Sequence, residues 1–510
     1  MEETRSYLSR RSWFKTVIVG AVEASALGCR HAEQAAQQNE GQRSIPAKPL
    51  GASVHGEVFV QGHSKRDGGA FPKSAPHDSC EVVVIGGGPS GLCAAHLLEG
   101  KDVVLLEKEE RLGGNCSSDH WEGVRFSTGA AFFTEGDTEL VELMRSVGAP
   151  GLPVRGGDAL ILKGQPFFDF FGEGARRLPF SPKTRDDFAR SAELAKAERK
   201  QRSAAELDAR PFAEFLAEFA PEVRLFWDRF GESNWGASAE HTSARLGLQA
   251  YGWLSGEEKR LTYPGGLGVG AEALASSLRA RLADRLHTGV FVHHVELESG
   301  RSGSVLVHAV KQGQPFTLRA KSVIVAVPKF FAARIVQGLT DEQRTAMRAF
   351  RYAPYPVFNV CLRSQGPQPA YDNWFLDTPF ADFVTADWVL HAGQRPAHEP
   401  SALTVYHPLA EGRRSELLDD SRLVHLADEV VAHLDRHFHG LKKHVAEVRV
   451  FRRGHALAIP APGQLQRAEI ASRSEGRIAF AHSDSRGDVS SFPGALRAAR
   501  LAVESVRKLG

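Results

Sequence analysis

Three glycines follow a short apolar run near position 85, and their spacing is suited to binding phosphate. The segment Val82–Gly91 reads VVVIGGGPSG, which places Gly86, Gly88 and Gly91 in the pattern G-x-G-x-x-G. In a strand–turn–helix unit the first glycine permits the turn, the second lets the backbone approach a pyrophosphate, and the third lets helix and strand pack closely. The free amides at the helix N-terminus then bind the phosphates.

An acidic residue follows at the interval that a dinucleotide site requires. A second apolar strand, Asp102–Leu106, ends directly before Glu107. A carboxylate about twenty residues after the first glycine can accept hydrogen bonds from ribose hydroxyls. The sequence therefore predicts an α/β domain of the Rossmann type that binds a dinucleotide.

A second glycine pair, Gly113 and Gly114, follows in the segment EKEERLGGNC that starts at Glu107. A plain NAD domain does not need this pair. The segment resembles the E-x-x-x-R-x-G-G sequence of the flavin-dependent amine oxidase superfamily, which includes protoporphyrinogen oxidases and carotenoid desaturases. That family usually has arginine after the second glycine, where this chain has Asn115.

Further segments resemble the same family in the family's order. Residues 263–268 are similar to the segment that re-enters the FAD domain, and the strand around Val292 to the one whose backbone contacts adenine. Residues 322–328 resemble the returning strand. Residues 476–506 resemble the closing motif, whose helix faces the isoalloxazine ring, and the acidic role of that motif falls on Asp484.

The resemblance implies FAD as the cofactor, bound noncovalently because no cysteine or histidine lies in a flavin-linking motif. It also implies that hydride passes from a small organic substrate, an amine by family precedent, to flavin N5. The residues predicted to contact the cofactor are Gly86, Gly88, Pro89, Ser90, Gly91, Glu107, Lys108, Arg111, Gly113, Gly114, Asn115, Gly129, Ala130, Val292 and Asp484.

The flavin-like segments are scattered, so the predicted α/β flavin domain is discontinuous in sequence. It comprises residues 80–150, 260–345 and 455–510. Residues 151–259, with helical patterns, and 346–454, rich in strand patterns, are expected to form an inserted substrate domain of mixed sheet and helices. Substrate is expected where the two domains meet.

No residue can be assigned a catalytic role from the sequence, and the five cysteines show no metal-binding spacing. A cationic substrate would favour Glu232 or Glu240 together with aromatic walls. The candidate substrate contacts are the segment Gly231–Gly236, Glu240, His241, Tyr355, Trp374 and Trp388.

The N-terminus resembles an export signal. Arg10 and Arg11 precede a short apolar stretch, as in twin-arginine signals, and residues 26–29 resemble a lipobox ending at Cys29. We therefore expect residues 1–29 to be a signal, and the protein to be periplasmic or tethered to the membrane by lipid. The polar residues 30–79 are expected to be a flexible linker.

Composition restricts the remaining classes of function. A net charge of +2 argues against nucleic-acid binding, and no run of eighteen apolar residues is present to span a membrane. Three hypotheses stay open: an amine-type oxidoreductase, a desaturase or redox isomerase of an apolar isoprenoid-like substrate, and a non-catalytic flavin-containing binding protein. The electron acceptor is not specified by any motif.

Overall fold

A computed structural model describes residues 51–254, 258–298 and 303–509. The predicted signal at 1–29 and the first part of the predicted linker lie outside these residues. The strands are β1 (Ala52–Gly56), β2 (Asp78–Ile85), β3 (Val103–Leu106), β4 (Ser118–Trp121), β5 (Val124–Ser127), β6 (Phe133–Thr134), β7 (Leu152–Pro153), β8 (Ala159–Leu162), β9 (Gln165–Phe168), β10 (Arg260–Thr262), β11 (Leu286–His287), β12 (Val290–Leu297), β13 (Val305–Lys311), β14 (Gln314–Val325), β15 (Tyr352–Ala353), β16 (Val357–Leu362), β17 (Asp372–Phe375), β18 (Asp382–Thr385), β19 (Ser401–Tyr406), β20 (Val445–Arg452), β21 (Leu457–Ala458) and β22 (Ile478–Phe480).

The helices connect these strands and cover the sheets. They are α1 (Val60–Arg66), α2 (Pro89–Leu97), α3 (Thr138–Ser146), α4 (Pro182–Gln201), α5 (Ala204–Asp208), α6 (Phe212–Leu216), α7 (Pro221–Trp235), α8 (Ala244–Leu254), α9 (Gly268–Leu282), α10 (Lys329–Ile335), α11 (Asp341–Arg348), α12 (Trp388–His391), α13 (Asp420–His437), α14 (Gln464–Ala471) and α15 (Phe492–Arg507). Within the described residues, none of these helices is long and apolar enough to cross a membrane.

The first large sheet contains the predicted nucleotide-binding unit. Its strand order is β11-β3-β2-β14-β13-β12, and β22 pairs with β14. The contacts of β2 with β3 and β14 are parallel, as are those of β14 with β22. Helices α2, α9 and α15 pack on one face through a shared apolar core. A strand buried on both faces reads as a continuous apolar run, which explains the sequence of β2.

The second large sheet has the order β1-β20-β16-β19-β18-β17-β8-β9. Most of it comes from the second predicted insertion, while β8 and β9 come from the first. The first insertion otherwise contributes helices α4 to α8, whose core is a cluster of aromatic side chains centred on Phe171 and Trp227. The α/β class and the mixed-sheet-plus-helix insertion therefore describe the fold.

The structure differs from the sequence prediction over residues 51–79, which are not a linker. Strand β1 pairs in parallel register with β20, from Ala52 opposite Val448 to Gly56 opposite Arg452. Backbone hydrogen bonds to an existing sheet edge require no long apolar pattern, so composition alone did not reveal this strand. Helix α1 follows, and the segment leads into β2.

Candidate active site

A cavity of about 1390 Å³ lies between the two large sheets. This exceeds the ~300–1,000 Å³ typical of small-molecule pockets, so it has room for a large ligand and a second, smaller one. All of the residues predicted to contact the cofactor line it except Gly91, Gly113 and Asp484. The cavity thus brings together segments that are far apart in sequence, such as those of Gly88 and Val292.

The glycine turn has the geometry that its sequence pattern requires. Gly86 adopts a φ of +106°, a conformation that side chains disfavour. A Cβ at Gly91 would lie 1.7 Å from the carbonyl oxygen of Gly86, so helix α2 can pack here only on glycine. A Cβ at Gly88 would instead project into open space, with Gly114 as its nearest neighbour at 3.9 Å. The second glycine therefore keeps a groove free at the N-terminus of α2.

Glu107 closes the groove at the end of β3. Its carboxylate accepts hydrogen bonds from the amides of Gly87 at 2.6 Å and Glu109 at 2.8 Å. Burial raises the pKa of Glu107, while these two hydrogen bonds oppose the rise. The side chain is thus fixed against the glycine turn with its carboxylate at the cavity wall, as a ribose-binding group requires.

The neighbouring charged residues of the segment have partners of their own. Lys108 contacts the carboxylate of Glu109 and donates to the carbonyl oxygen of Val58 at 3.3 Å. Arg111 donates to the carbonyl oxygen of Ser118 at 3.2 Å. Both side chains line the cavity. Val58 belongs to the segment after β1, so this segment forms part of the cavity wall.

Arg453 is a buried cation beside Asn115 that the sequence did not single out. Its guanidinium donates to the Asn115 side-chain oxygen at 3.2 Å, the Gly114 carbonyl at 3.3 Å and Ser117 Oγ at 2.7 Å. The residue is 7% exposed and lines the cavity, and no carboxylate of the described residues forms an ion pair with it. Burial lowers the pKa of Arg453, but arginine keeps its charge at neutral pH.

The structure gives Asp484 contacts that differ from its predicted cofactor role. Its carboxylate forms a fully buried ion pair with Lys329 at 2.7 Å and accepts hydrogen bonds from the Tyr352 hydroxyl at 2.5 Å and the Lys329 amide at 3.0 Å. Asp484 does not line the cavity, whereas His482 and Ser483 beside it do. The charge of Asp484 balances Lys329, a partner 155 residues away in sequence.

Helix α15 directs its N-terminus into the same cavity. Phe492 and Pro493 of its first turn line the cavity together with Ser490 and Ser491. Ser491 caps the helix, since its hydroxyl accepts the Gly494 amide at 3.1 Å. The partial positive charge of a helix N-terminus favours an electron-rich or anionic ligand atom at this place.

The other end of the cavity is a single row of side chains on the second sheet. Trp374 pairs with Asp382, Asp382 with Tyr406, Tyr406 with Val357, and Val357 with Phe451. All five side chains line the cavity, one from each of the strands β17, β18, β19, β16 and β20. The Tyr406 hydroxyl donates to the carbonyl oxygen of Gly129 at 2.7 Å and so ties this row to the flavin-like segment.

The predicted substrate contacts are only partly at this end. Ser233, Asn234, Tyr355 and Trp374 line the cavity. The remaining candidates do not: Glu232 pairs with Arg229 at 3.0 Å, Glu240 pairs with Arg224 at 3.1 Å, and Trp388 donates to the Arg155 carbonyl at 2.8 Å. The acidic side chains that do line this end are Asp158, Asp372 and Asp382, which no local motif marks.

The fold and the site together define an oxidoreductase of the FAD-dependent class. A Rossmann-type sheet presents a glycine turn and a buried carboxylate beside it, and a second sheet covers the groove with aromatic and acidic side chains. Residues 89–507 match the model of the flavin containing amine oxidoreductase family. The chain belongs to this family.

Individual relatives agree with this assignment. The chain is 37% identical to putrescine oxidase of Kocuria rosea over 70 residues, which is 13% of this chain and 15% of that protein. It is 47% identical to carotenoid 3,4-desaturase of Haloarcula japonica over 55 residues, 10% of this chain and 11% of the desaturase. These matches span only a small part of each curated relative.

Over the whole fold, the chain is similar to the solved structure of cyclohexylamine oxidase from Brevibacterium oxydans IH-35A. The TM-score is 0.65 at 19% identity, and the match covers 84% of this chain and 99% of that chain. At this identity the likeness concerns the fold.

Proposed function

We propose that the protein is an exported oxidoreductase that dehydrogenates an amine and transfers hydride to N5 of a noncovalently bound FAD. The observation that carries the proposal is the single cavity, which runs from the glycine turn to an acidic end with aromatic walls. An amine oxidoreductase needs both ends of the cavity, because one end suits a dinucleotide cofactor and the other suits a cationic substrate.

The cavity residues fit FAD. Gly88 and Gly114 leave the groove open for phosphates, Glu107 stands at the ribose position, and the backbone around Val292 lies at the predicted adenine site. Arg453 supplies a buried positive charge next to Asn115, where the family usually has arginine. When bound, FAD supplies the hydride acceptor for the reaction.

The chain's own side chains orient the substrate and exclude water. Tyr355, Tyr406 and Trp374 provide flat apolar walls, and their burial removes bulk water from the reacting carbon. The acidic residues attract a cationic substrate from solution. No side chain is required as a base if the amine reaches the reaction centre in its neutral form.

An apolar isoprenoid-like substrate is the less suitable alternative. Such a molecule offers no partner to the carboxyl groups that line the cavity, and leaving them unpaired against hydrocarbon is unfavourable. A purely structural role for the flavin leaves the acidic, aromatic end of the cavity without a use.

The test is anaerobic mixing of the flavin-loaded protein with a panel of amines, amino acids and isoprenoids. We expect amines to bleach the flavin absorbance and isoprenoids to leave it unchanged. Bleaching by isoprenoids alone would overturn the substrate class, and a correctly folded protein without flavin absorbance would overturn the whole proposal. Retention of FAD in the pellet after acid precipitation would show a covalent link instead.

Export is proposed from the sequence of residues 1–29. Replacing Arg10 and Arg11 with lysine is expected to keep the protein in the cytoplasmic fraction, because the twin-arginine pathway reads this pair. Cys29→Ala is expected to release the protein from the membrane fraction if that thiol carries lipid. If the first variant fractionates like the wild type, the twin-arginine export route is contradicted. If the second variant does so, the lipid tether at Cys29 is contradicted.

A further inference from the structure

Two buried aspartates form a compact acid pair at the substrate end of the cavity. Asp372 lies on β17 and Asp382 on the neighbouring antiparallel strand β18. Asp372 and Trp374 are two residues apart and share a face, and Asp382 lies directly opposite Trp374. All three side chains line the cavity. We call Asp372 and Asp382 the acid pair.

The acid pair is buried without full hydrogen bonding. Asp372 is 3% exposed and Asp382 is 2% exposed. Burial and the charge of neighbouring Asp382 raise the pKa of Asp372 well above its usual range. The Oδ1 atom of each aspartate has no hydrogen-bond partner among the described residues. Buried carboxyl groups without full hydrogen bonding, on residues that line a cavity, indicate a ligand that donates hydrogen bonds.

The surrounding charge shows what kind of donor this is. Arg260 is the cation next to the acid pair, with its Nη1 atom 3.6 Å from the Asp372 carboxylate, but it also pairs with Asp158. One guanidinium therefore pairs with two carboxyl groups, and Asp382 adds a third carboxyl group next to Asp372. Even when the acid pair holds one shared proton, the group keeps a net negative charge, which favours a cation over a neutral or anionic ligand.

The walls beside the acid pair suit a cation as well. Tyr355 and Tyr406 approach each other edge to face, with ring centroids 6.1 Å apart, and both line the cavity. Phe230 and Trp374 stack with centroids 5.0 Å apart on the other side. The faces of such rings attract a desolvated ammonium group.

We infer that the acid pair is the subsite that selects substrates by a protonated nitrogen. Asp372 and Asp382 accept the N–H groups of the ammonium, and the aromatic rings enclose it. This inference rests on the proposed function, because it names the form in which an amine enters. The carboxylate that accepts the N–H groups of the ammonium takes up the proton that the nitrogen loses, so the amine is neutral when hydride leaves the adjacent carbon. It also explains why Glu232 and Glu240, which have arginine partners outside the cavity, do not serve this purpose.

The test uses two probes of the same shape that differ in charge, cumylamine and cumyl alcohol. Neither has hydrogen on the carbon that carries the nitrogen or oxygen, so neither is dehydrogenated there. Binding to the flavin-loaded full chain is followed by the change in flavin absorbance. We expect the wild type to bind cumylamine at least about tenfold more tightly than cumyl alcohol, the ratio that one charge-assisted hydrogen bond gives.

The variants Asp372→Asn and Asp382→Asn keep the shape of the acid pair and remove its charge. Each is expected to lose most of the preference for the amine and to bind cumyl alcohol as the wild type does. Glu240→Gln is the matched control, since it removes an acid outside the cavity, and it should keep the full preference. Flavin content and near-ultraviolet circular dichroism show that each variant is folded.

A pH titration of the wild type tests the same point without a variant. Burial raises the pKa of Asp382 to about 7, so the preference for cumylamine should weaken as the pH falls through about 7 and the acid pair gains a proton. Burial raises the pKa of each nearby tyrosine, so these groups stay protonated in this range. The charged and titratable groups around the acid pair are Asp158, Glu232, Arg260, Tyr355, Tyr371 and Tyr406.

Equal affinity of the wild type for both probes overturns the inference, and so does a preference that survives in both asparagine variants. The subsite and the proposed reaction can be tested independently of each other. If no amine bleaches the flavin but the charge preference is present and lost in the variants, the subsite stands and the proposed reaction fails. If amines bleach the flavin of both asparagine variants with wild-type affinity, the reaction stands and the subsite fails.

Discussion

Replacing Arg453 with methionine is expected to weaken FAD binding far more than it weakens the fold. The guanidinium is buried at the cofactor end of the cavity, and its hydrogen-bond acceptors there are neutral groups of Gly114, Asn115, Ser117 and Thr128. A buried cation without an ion-pair partner is costly in the free protein. An anionic ligand removes that cost, so the charge contributes mainly to the bound state.

The magnitude follows from the contact that is lost. A hydrogen bond to a charged group contributes about 1.5–3 kcal/mol, which corresponds to an increase of roughly 10- to 150-fold in the FAD dissociation constant. The same substitution removes donors from Ser117 and Asn115, but it also removes the desolvated charge. We therefore expect the melting temperature of the variant apoprotein to differ little from that of the wild type. Adding FAD should raise the melting temperature of the variant much less than that of the wild type.

The assay is titration of the apoprotein with FAD, followed by quenching of flavin fluorescence, together with melting curves with and without FAD. Asn115→Arg in the Arg453→Met background should restore most of the affinity, since the two side chains are in contact at 3.2 Å. Arg449→Met is the matched control four residues earlier, on β20, because Arg449 pairs with Asp119 and Glu447 instead. Wild-type affinity in Arg453→Met, or no rescue by arginine at 115, refutes the reasoning.

Three further outcomes are expected. Gly91→Ala should lower the flavin content of the purified protein and its melting temperature, because the new Cβ would lie 1.7 Å from a carbonyl oxygen; Gly412→Ala, where nothing lies within 4 Å, should change neither. Asp484→Asn should destabilise the protein by about 3–5 kcal/mol in denaturant titrations, since it leaves Lys329 buried without its partner. The folded-state pKa of Asp484 is lowered, so its stabilisation is present above the usual carboxyl range and the difference from wild type should shrink on acidification; a difference independent of pH contradicts this. Gly56→Ala should speed FAD release several-fold in stopped-flow fluorescence. The new Cβ would lie 2.2 Å from a carbonyl oxygen of β20 and would separate β1 from that strand. An unchanged release rate contradicts the idea that β1 covers the cofactor end of the cavity.

The nucleotide-binding half of the site could be predicted from local sequence because each of its requirements is local. The turn at Gly86, the close packing at Gly91 and the carboxylate at Glu107 are specified by residues within one strand–helix–strand unit. Strands from the insertion, such as Val357–Leu362, were also readable because their side chains are buried on both faces.

The other half depends on contacts between distant residues. Arg453 reaches Asn115 across 338 positions, and Asp484 is neutralised by Lys329 rather than free for a cofactor. Asp372 and Asp382 come together only through the pairing register of β17 and β18. In the helical insertion, residues 212–230 contain two helices and not one continuous helix, because Pro221 starts a new helix.

The row from Trp374 to Phe451 has a consequence for how this architecture diversifies. Each of its five positions belongs to a different strand, and the hydrogen-bonded ladder between strands fixes the backbone whatever the side chain is. An exchange at one position therefore alters the chemistry that the ligand meets while the scaffold keeps its geometry. Proteins with such a framework can thus differ in substrate through a few interchangeable side chains of this row.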